Sequence, residues 1–463
     1  MTFDSILLSR LQFAFTIGYH IIWPTYSIGV SGFVALLNVF WVLTGKTNYR
    51  DLARFWTHLF ALGFVMGVVT GVVLSYQIGA NWSTFSRITG NVLGPLFMYE
   101  ALTAFFLEAG FIGILLFGET RVGRGLHLFA SLMVFAGTIF SAFWVLVANS
   151  WMQTPAGAVL GSDGVFHVKS WTAVIFNASF PYRFGHMVCG SLVTGVFFIA
   201  GVSALHILRE TKREAAESAL SLTMWLALAL VPLQLFLGDR HGLNTRQYQP
   251  MKLAAIEARW DTGRGVPLTL FAIPDQKSET NLWPVDIPHL GSVILTHSWN
   301  GKVLGLKEVP PEDRPYVPIV FFGFRAMVGI GMVLFLLSLL GAYQRWRGQL
   351  VKQRWFLVSL VVASPLGFVA TIAGWIVTEA GRQPYAVYGI LRTANAASQL
   401  PAVSVGLTFL IFIVAYLALL AGFLRFFTQA VIAGPKITEV LDPAAHAPLG
   451  RMRSTPALLK GAR

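Results

Sequence analysis

The sequence predicts an all-α integral membrane protein of about nine transmembrane helices, from its composition, the spacing of its apolar runs and the placement of its basic residues. Of 463 residues, 55% are hydrophobic and 12% charged, with a mean hydropathy of +0.64. That leaves too few polar side chains to solvate the surface of a soluble protein this large. A helix crosses hydrocarbon in roughly 20 apolar residues. Runs of that length fall near 15–43, 53–78, 95–118, 125–149, 185–208, 218–238, 319–343, 355–377 and 403–427, and we number these spans 1 to 9.

Basic residues collect in alternate connections, as they do in cytoplasmic loops. One set holds Lys46, Arg50 and Arg54; Arg121 and Arg124; Arg209, Lys212 and Arg213; Arg345, Arg347, Lys352 and Arg354; and a tail with Lys436, Arg451, Arg453, Lys460 and Arg463. The opposite set is poorer, with Arg87, Lys169, Arg183, Arg382 and Arg392. The tail, 431–463, is therefore expected in the cytoplasm and the N-terminus outside. Asp4, Arg10 and Gln12 precede the first apolar run with no small-residue cleavage site behind a short apolar core, so the first helix reads as retained. The net charge of +13 does not point to nucleic acid, because the basic residues lie in short loops and not on one face interleaved with stacking aromatics. A single cysteine, Cys189, excludes an internal disulfide and any multi-cysteine zinc or iron–sulfur site.

Taken in order, the spans carry polar groups that lipid does not tolerate without a reason. His20 lies near the outer end of span 1, where a backbone hydrogen bond and a ligand role are equally open. Gly63, Gly67 and Gly71 in span 2 recur every fourth residue, which lets another helix approach closely. In span 3, Glu100 and Glu108 stand about 80° apart at about 100° per residue, so they can share one polar track for protons. His186 sits in Phe184-Gly185-His186-Met187 at the start of span 5. Residues 239–318 form a long external loop with nine basic and nine acidic residues; loops beyond about 12–15 residues are usually functional or disordered. Met327 in span 7 would ordinarily be packing filler. Glu379 ends span 8, with Arg382 in reach as an ion-pair partner.

His186 and Met327 come from different helices at the same predicted depth, and a His/Met pair is an axial set for six-coordinate electron-transfer haem. His20 and Glu379 are too far from that pair to be assumed co-ligands, so separate irons are open, each with a free axial position as oxygen chemistry requires. Composition and spacing reach a multi-haem or ion-coupled membrane protein and stop there.

Four motifs go further: Gly381-Arg382-Gln383-Pro384 behind Glu379, the run from Gln249-Pro250-Met251-Lys252 to Ala255-Ile256-Glu257, Gly18-Tyr19-His20, and Phe324-Arg325-Ala326-Met327. With these, nearly the whole chain resembles subunit I of the cytochrome bd-type quinol oxidases. The resemblance implies a nine-helix subunit with an external quinol-binding loop. It implies that His186 and Met327 ligate a low-spin haem b, and that His20 and Glu379 each ligate one of two high-spin haems, a haem b and a haem d or a further haem b. Lys252 and Glu257 match quinol-oxidation residues, Glu100 and Glu108 the acidic residues of a proton path, and Arg325 and Arg382 basic residues near the haems. Two departures, Tyr385 where tryptophan is common and a short external loop, resemble the cyanide-insensitive branch, in which haem d can be scarce.

The function so implied is quinol oxidation outside and oxygen reduction to water with protons from inside, which builds a gradient without a pump. The implied setting is the bacterial inner membrane, with subunit II and a small single-helix subunit as partners besides quinol, oxygen and lipid. A membrane cytochrome lacking an oxygen site and an ion-coupled transporter are the rival readings.

Overall fold

The computed structural model describes residues 4–119 and 121–436; the tail arginines Arg451, Arg453 and Arg463, with Lys460, lie outside the described residues. Among the described residues nine helices are long and apolar enough to cross a membrane: Ser5–Thr44, Thr47–Asn81, Ser83–Phe117, Arg124–Gln153, Phe180–Leu208, Arg213–Tyr248, Pro311–Trp346, Arg354–Ala380 and Ala402–Ala433. The expected helix number holds, and most helices run past their apolar runs because polar turns continue them into the interface.

Proline sets the breaks. Span 1 is two helices, Ser5–His20 and Ile22–Thr44. Pro24 has no N–H for the His20 carbonyl four residues back, so the chain breaks just behind His20. Span 8 divides likewise at Pro365 into Arg354–Ala363 and Leu366–Ala380. Span 3 holds a π-helical segment, Glu100–Phe105.

Span 5 is the centre of the bundle, with 72% of its apolar window buried, against 6% for span 9. It crosses span 1 at a glycine contact: a methyl on Gly29 would come 2.6 Å from Gly195 Cα. The glycine stripe of span 2 packs on span 1, with Gly63 under the Tyr26 ring, Gly67 under Trp23 and Gly71 beside His20.

The segment 239–318 differs from the expected loop. Span 6 stays helical to Tyr248 and a second helix, Pro250–Ile256, follows at once. The polar extension is held from outside its own helix: Asn244 donates to the Ala178 carbonyl at 2.9 Å, and Asp239 meets His297 at 3.1 Å. Strands Leu268–Asp275 and Thr280–Ile287 then pair antiparallel, and Ala254, Trp260, Ala272 and Phe321 close a small core beneath them. The result is a folded cap. The connections between spans 4 and 5 and spans 8 and 9 lie on the same side; Tyr388 N–H, for example, donates to Met152 O at 2.9 Å.

Candidate functional site

Four polar groupings lie where the helices meet the cap or each other. The first is a seam between spans 1 and 2. Gln12 accepts from Asn81 at 2.7 Å, Thr16 bonds Gln77, and His20 Nδ1 lies 2.8 Å from Thr70 Oγ1. Thr70 gives its hydroxyl proton to the Met66 carbonyl at 2.8 Å, so its oxygen is left to accept from His20 Nδ1–H. A histidine with its Nδ1 proton engaged presents a bare Nε2, the arrangement that orients a metal-binding imidazole. Gly71 leaves room beside that edge of the ring, where a methyl would stand 3.3 Å from His20 Cε1.

The second surrounds His186, which faces span 6. Its Nε2 lies 3.3 Å from the Gln234 amide, and the His241 ring stands edge-on with centroids 5.4 Å apart. Among the described residues its Nδ1 is buried without a partner, and this edge of the ring packs against Gly238, where a methyl would stand 3.2 Å from Cε1. Met327 faces span 8 with its sulfur packed against Gly374, where a methyl would come 2.7 Å from it.

The third joins the cap to spans 4, 5 and 8. Glu379 accepts from Asn149 at 2.9 Å and Gln153 at 3.2 Å, and pairs with Arg382. Gln153 Oε1 also accepts from Lys252 Nζ at 2.5 Å and from Gln249 at 2.9 Å, while Lys252 donates to Gln249 at 2.7 Å. Arg183 reaches Asn149 at 3.2 Å. Burial pushes the Lys252 ammonium well below its ordinary range; Arg183 and Arg382 push it the same way, and Glu379 opposes them. Close by in sequence, Glu257 pairs with Arg325 at 2.8 Å, and Arg325 also donates to the Thr269 carbonyl. The expected pair Glu379–Arg382 thus forms, while Arg325, expected beside a haem, spends donors on Glu257 and on backbone.

The fourth is the acidic pair of span 3. Ser141 donates to Glu100 at 2.8 Å, and Glu108 is buried against Gly137, where a methyl would meet its Cγ at 2.5 Å. Gly137 and Ser141 are one turn apart on span 4, so both carboxylates face one side of that helix. The 80° separation expected for an unbroken α-helix does not hold, because a π turn takes in about one residue more than an α turn and rotates Glu108 back toward Glu100.

Sequence reasoning did not single out Thr70, Asn149, Gln153, Arg183, Gln234 or His241. Asn149 and Gln153, four residues apart in an apolar helix, were a visible signal; Thr70 resembles any helix threonine until its partner is known. Tyr385, at the position where tryptophan was expected, donates to Asp313 at 2.8 Å, and that bond raises its phenol pKa.

Would these residues fit haem? Among the described residues, Arg382 is buried with Nε and Nη1 unpartnered, as are Arg183 Nε and His186 Nδ1. Buried donors without acceptors are costly, and two guanidinium groups with free N–H suit an anion such as a propionate. Together with the unpartnered His186 Nδ1 and the thioether of Met327, donor types that axial ligation uses, the set fits haem.

Residues 8–435 match the family model described as cytochrome bd terminal oxidase subunit I. The chain is similar to cytochrome bd ubiquinol oxidase subunit 1 of Bacillus subtilis (strain 168), with 36% identity over 453 residues, 96% of this chain and 95% of that one. It is similar to cytochrome bd-II ubiquinol oxidase subunit 1 of Escherichia coli (strain K12), with 34% identity covering 86% of this chain and 90% of that one. Among solved structures it resembles the bd oxidase from Geobacillus thermodenitrificans, with a TM-score of 0.88 and 29% identity over 94% of this chain and 100% of that chain.

Proposed function

The chain belongs to the cytochrome bd terminal oxidase subunit I family, and from that premise we propose that it oxidises quinol at the membrane side bearing the 239–318 cap and carries haems on His186, Met327, His20 and Glu379. It is a multi-span bacterial membrane protein, the catalytic subunit of a terminal oxidase and a quinol:oxygen oxidoreductase that works with subunit II. The transporter reading is thereby set aside.

In this proposal His186 and Met327 hold a low-spin haem b. His20 and Glu379 each hold a high-spin haem, one a haem b and the other a haem d or a further haem b. When bound, these groups would supply one-electron carriers between quinol and oxygen and the iron at which oxygen is reduced. Thr70 keeps the His20 proton on Nδ1. Arg382 and Arg183 meet propionate charge with their free donors, and Arg325 presents the Glu257 carboxylate.

Glu257 takes a quinol hydroxyl proton, and Lys252 holds a quinol oxygen; losing protons makes quinol the better reductant. Protons for oxygen reduction pass by Glu108 and Glu100 along span 4 from the side of the basic connections. That side is the cytoplasm, with the N-terminus periplasmic and the C-terminus cytoplasmic. Release on one side and uptake on the other build a gradient without a pump. A small single-helix subunit completes the assembly.

One observation carries this reading: the hydrogen-bonded chain Lys252–Gln153–Glu379–Arg382, which ties a cap residue to the end of span 8. Glu257→Ala tests it. Loss of a positioned proton acceptor should slow quinol oxidation by about 100-fold or more while the dithionite-reduced spectrum stays intact. Turnover at the unsubstituted rate would remove Glu257 from the reaction.

A further inference from the structure

The 268–287 hairpin has two unlike faces. Its inner face is buried: Thr269 and Ala272 pack on the cap core, and the Thr269 carbonyl holds Arg325. Its outer face carries Phe271, Ile273, Leu282, Trp283, Val285 and Ile287, all exposed, with Trp283 at 75% and Val285 at 53%. A soluble surface rarely leaves so many large apolar side chains contiguous, and such a patch marks a contact with something apolar.

Its position says with what. The Phe271 ring meets Phe322 of span 7, centroids 6.3 Å apart, and Phe322 and Ile319 are themselves exposed. The patch therefore continues the lipid-facing surface of span 7 without a break. Among the described residues the strand Thr280–Ile287 pairs on one side only, so its other edge keeps unpaired N–H and C=O groups. An open sheet edge is not tolerated in hydrocarbon, whereas the headgroup region supplies partners. A highly exposed tryptophan in such a patch, Trp283, suits that same depth.

We infer that the outer face of this hairpin lies in the bilayer interface beside span 7, with its apolar side chains in the upper acyl region and its free edge among the headgroups of that leaflet. The occupant of the face is lipid. One strand then separates hydrocarbon from the Arg325–Glu257 pair, and the cap is held down on the membrane by its own apolar side. This inference does not depend on the haem or quinol assignments.

The test uses the purified oxidase complex in phosphatidylcholine liposomes. Leu282→Cys, Val285→Cys and, at the hairpin turn, Lys277→Cys are each labelled with bimane. Cys189 is buried, and the signal of the unsubstituted complex is subtracted. Phosphatidylcholine bearing a nitroxide high on its acyl chain should quench most of the emission at positions 282 and 285, and aqueous iodide little of it, with the reverse at 277. Quenching at 282 and 285 by iodide alone would place the face in water. Quenching by neither reagent would show a protein partner, such as subunit II, covering it. Either result overturns the inference.

Discussion

At the junction of the cap with spans 4, 5 and 8, Arg183, Lys252, Glu379 and Arg382 are tied together through Asn149, Gln153 and Gln249. Along the seam of spans 1 and 2, the bonded residues are neutral and paired one to one: Gln12 with Asn81, Thr16 with Gln77, His20 with Thr70. The difference follows from charge. An ion taken from water needs several partners to offset its desolvation, so a region of four ionisable groups must draw residues from the cap and three spans. A neutral imidazole needs one acceptor, which a single helix turn supplies. The junction is thus a cooperative unit, and the seam is a set of independent contacts.

Three substitutions break or sharpen that contrast. Arg382→Gln should have the largest effect, because it leaves the half-buried Glu379 without its buried cation; removing one partner of such a pair costs about 3–5 kcal/mol. The measurement is the thermal denaturation midpoint of the purified oxidase. A midpoint equal to that of the unsubstituted protein would show that the junction does not depend on this pair.

Lys252→Arg should act on pH dependence. Burial holds the Lys252 ammonium below its ordinary range, so its charge is lost as pH rises through that lowered value, earlier than for an exposed lysine. If the charge holds a quinol oxygen, KM for quinol climbs on the alkaline side. An arginine keeps its proton there, and the climb should flatten. Identical KM profiles would separate the Lys252 charge from quinol binding.

Thr70→Val should have the smallest effect on stability, about 1 kcal/mol for one hydrogen bond. It frees the His20 Nδ1 proton, so the iron–histidine stretching band of the reduced enzyme should shift, and Thr70→Ser should restore it. An unmoved band in the valine variant would mean that Thr70 does not orient the ring.

These regions were unequally legible in the sequence. The spans were, because lipid is the solvent and hydropathy reports it directly. The loop was not read as a cap, since its fold rests on short strands and on side chains meeting the connections of other spans. His20, His186, Met327 and Glu379 came from motifs. Their neighbours Thr70, Gln234 and Gln153 depend on helix register, which one sequence does not reveal. That Glu100 and Glu108 can face one track was legible; the π segment that turns them closer than α-helical spacing allows leaves no periodic signature in an apolar run.

The central claim is that one iron is shared by His186 of span 5 and Met327 of span 7. Near-infrared magnetic circular dichroism of the oxidised complex tests it most directly, through the charge-transfer band of His/Met ligation. In Met327→Leu that band should vanish and the low-spin haem should become high-spin, with haem content retained. A spectrum that is the same with leucine as with methionine would contradict the account.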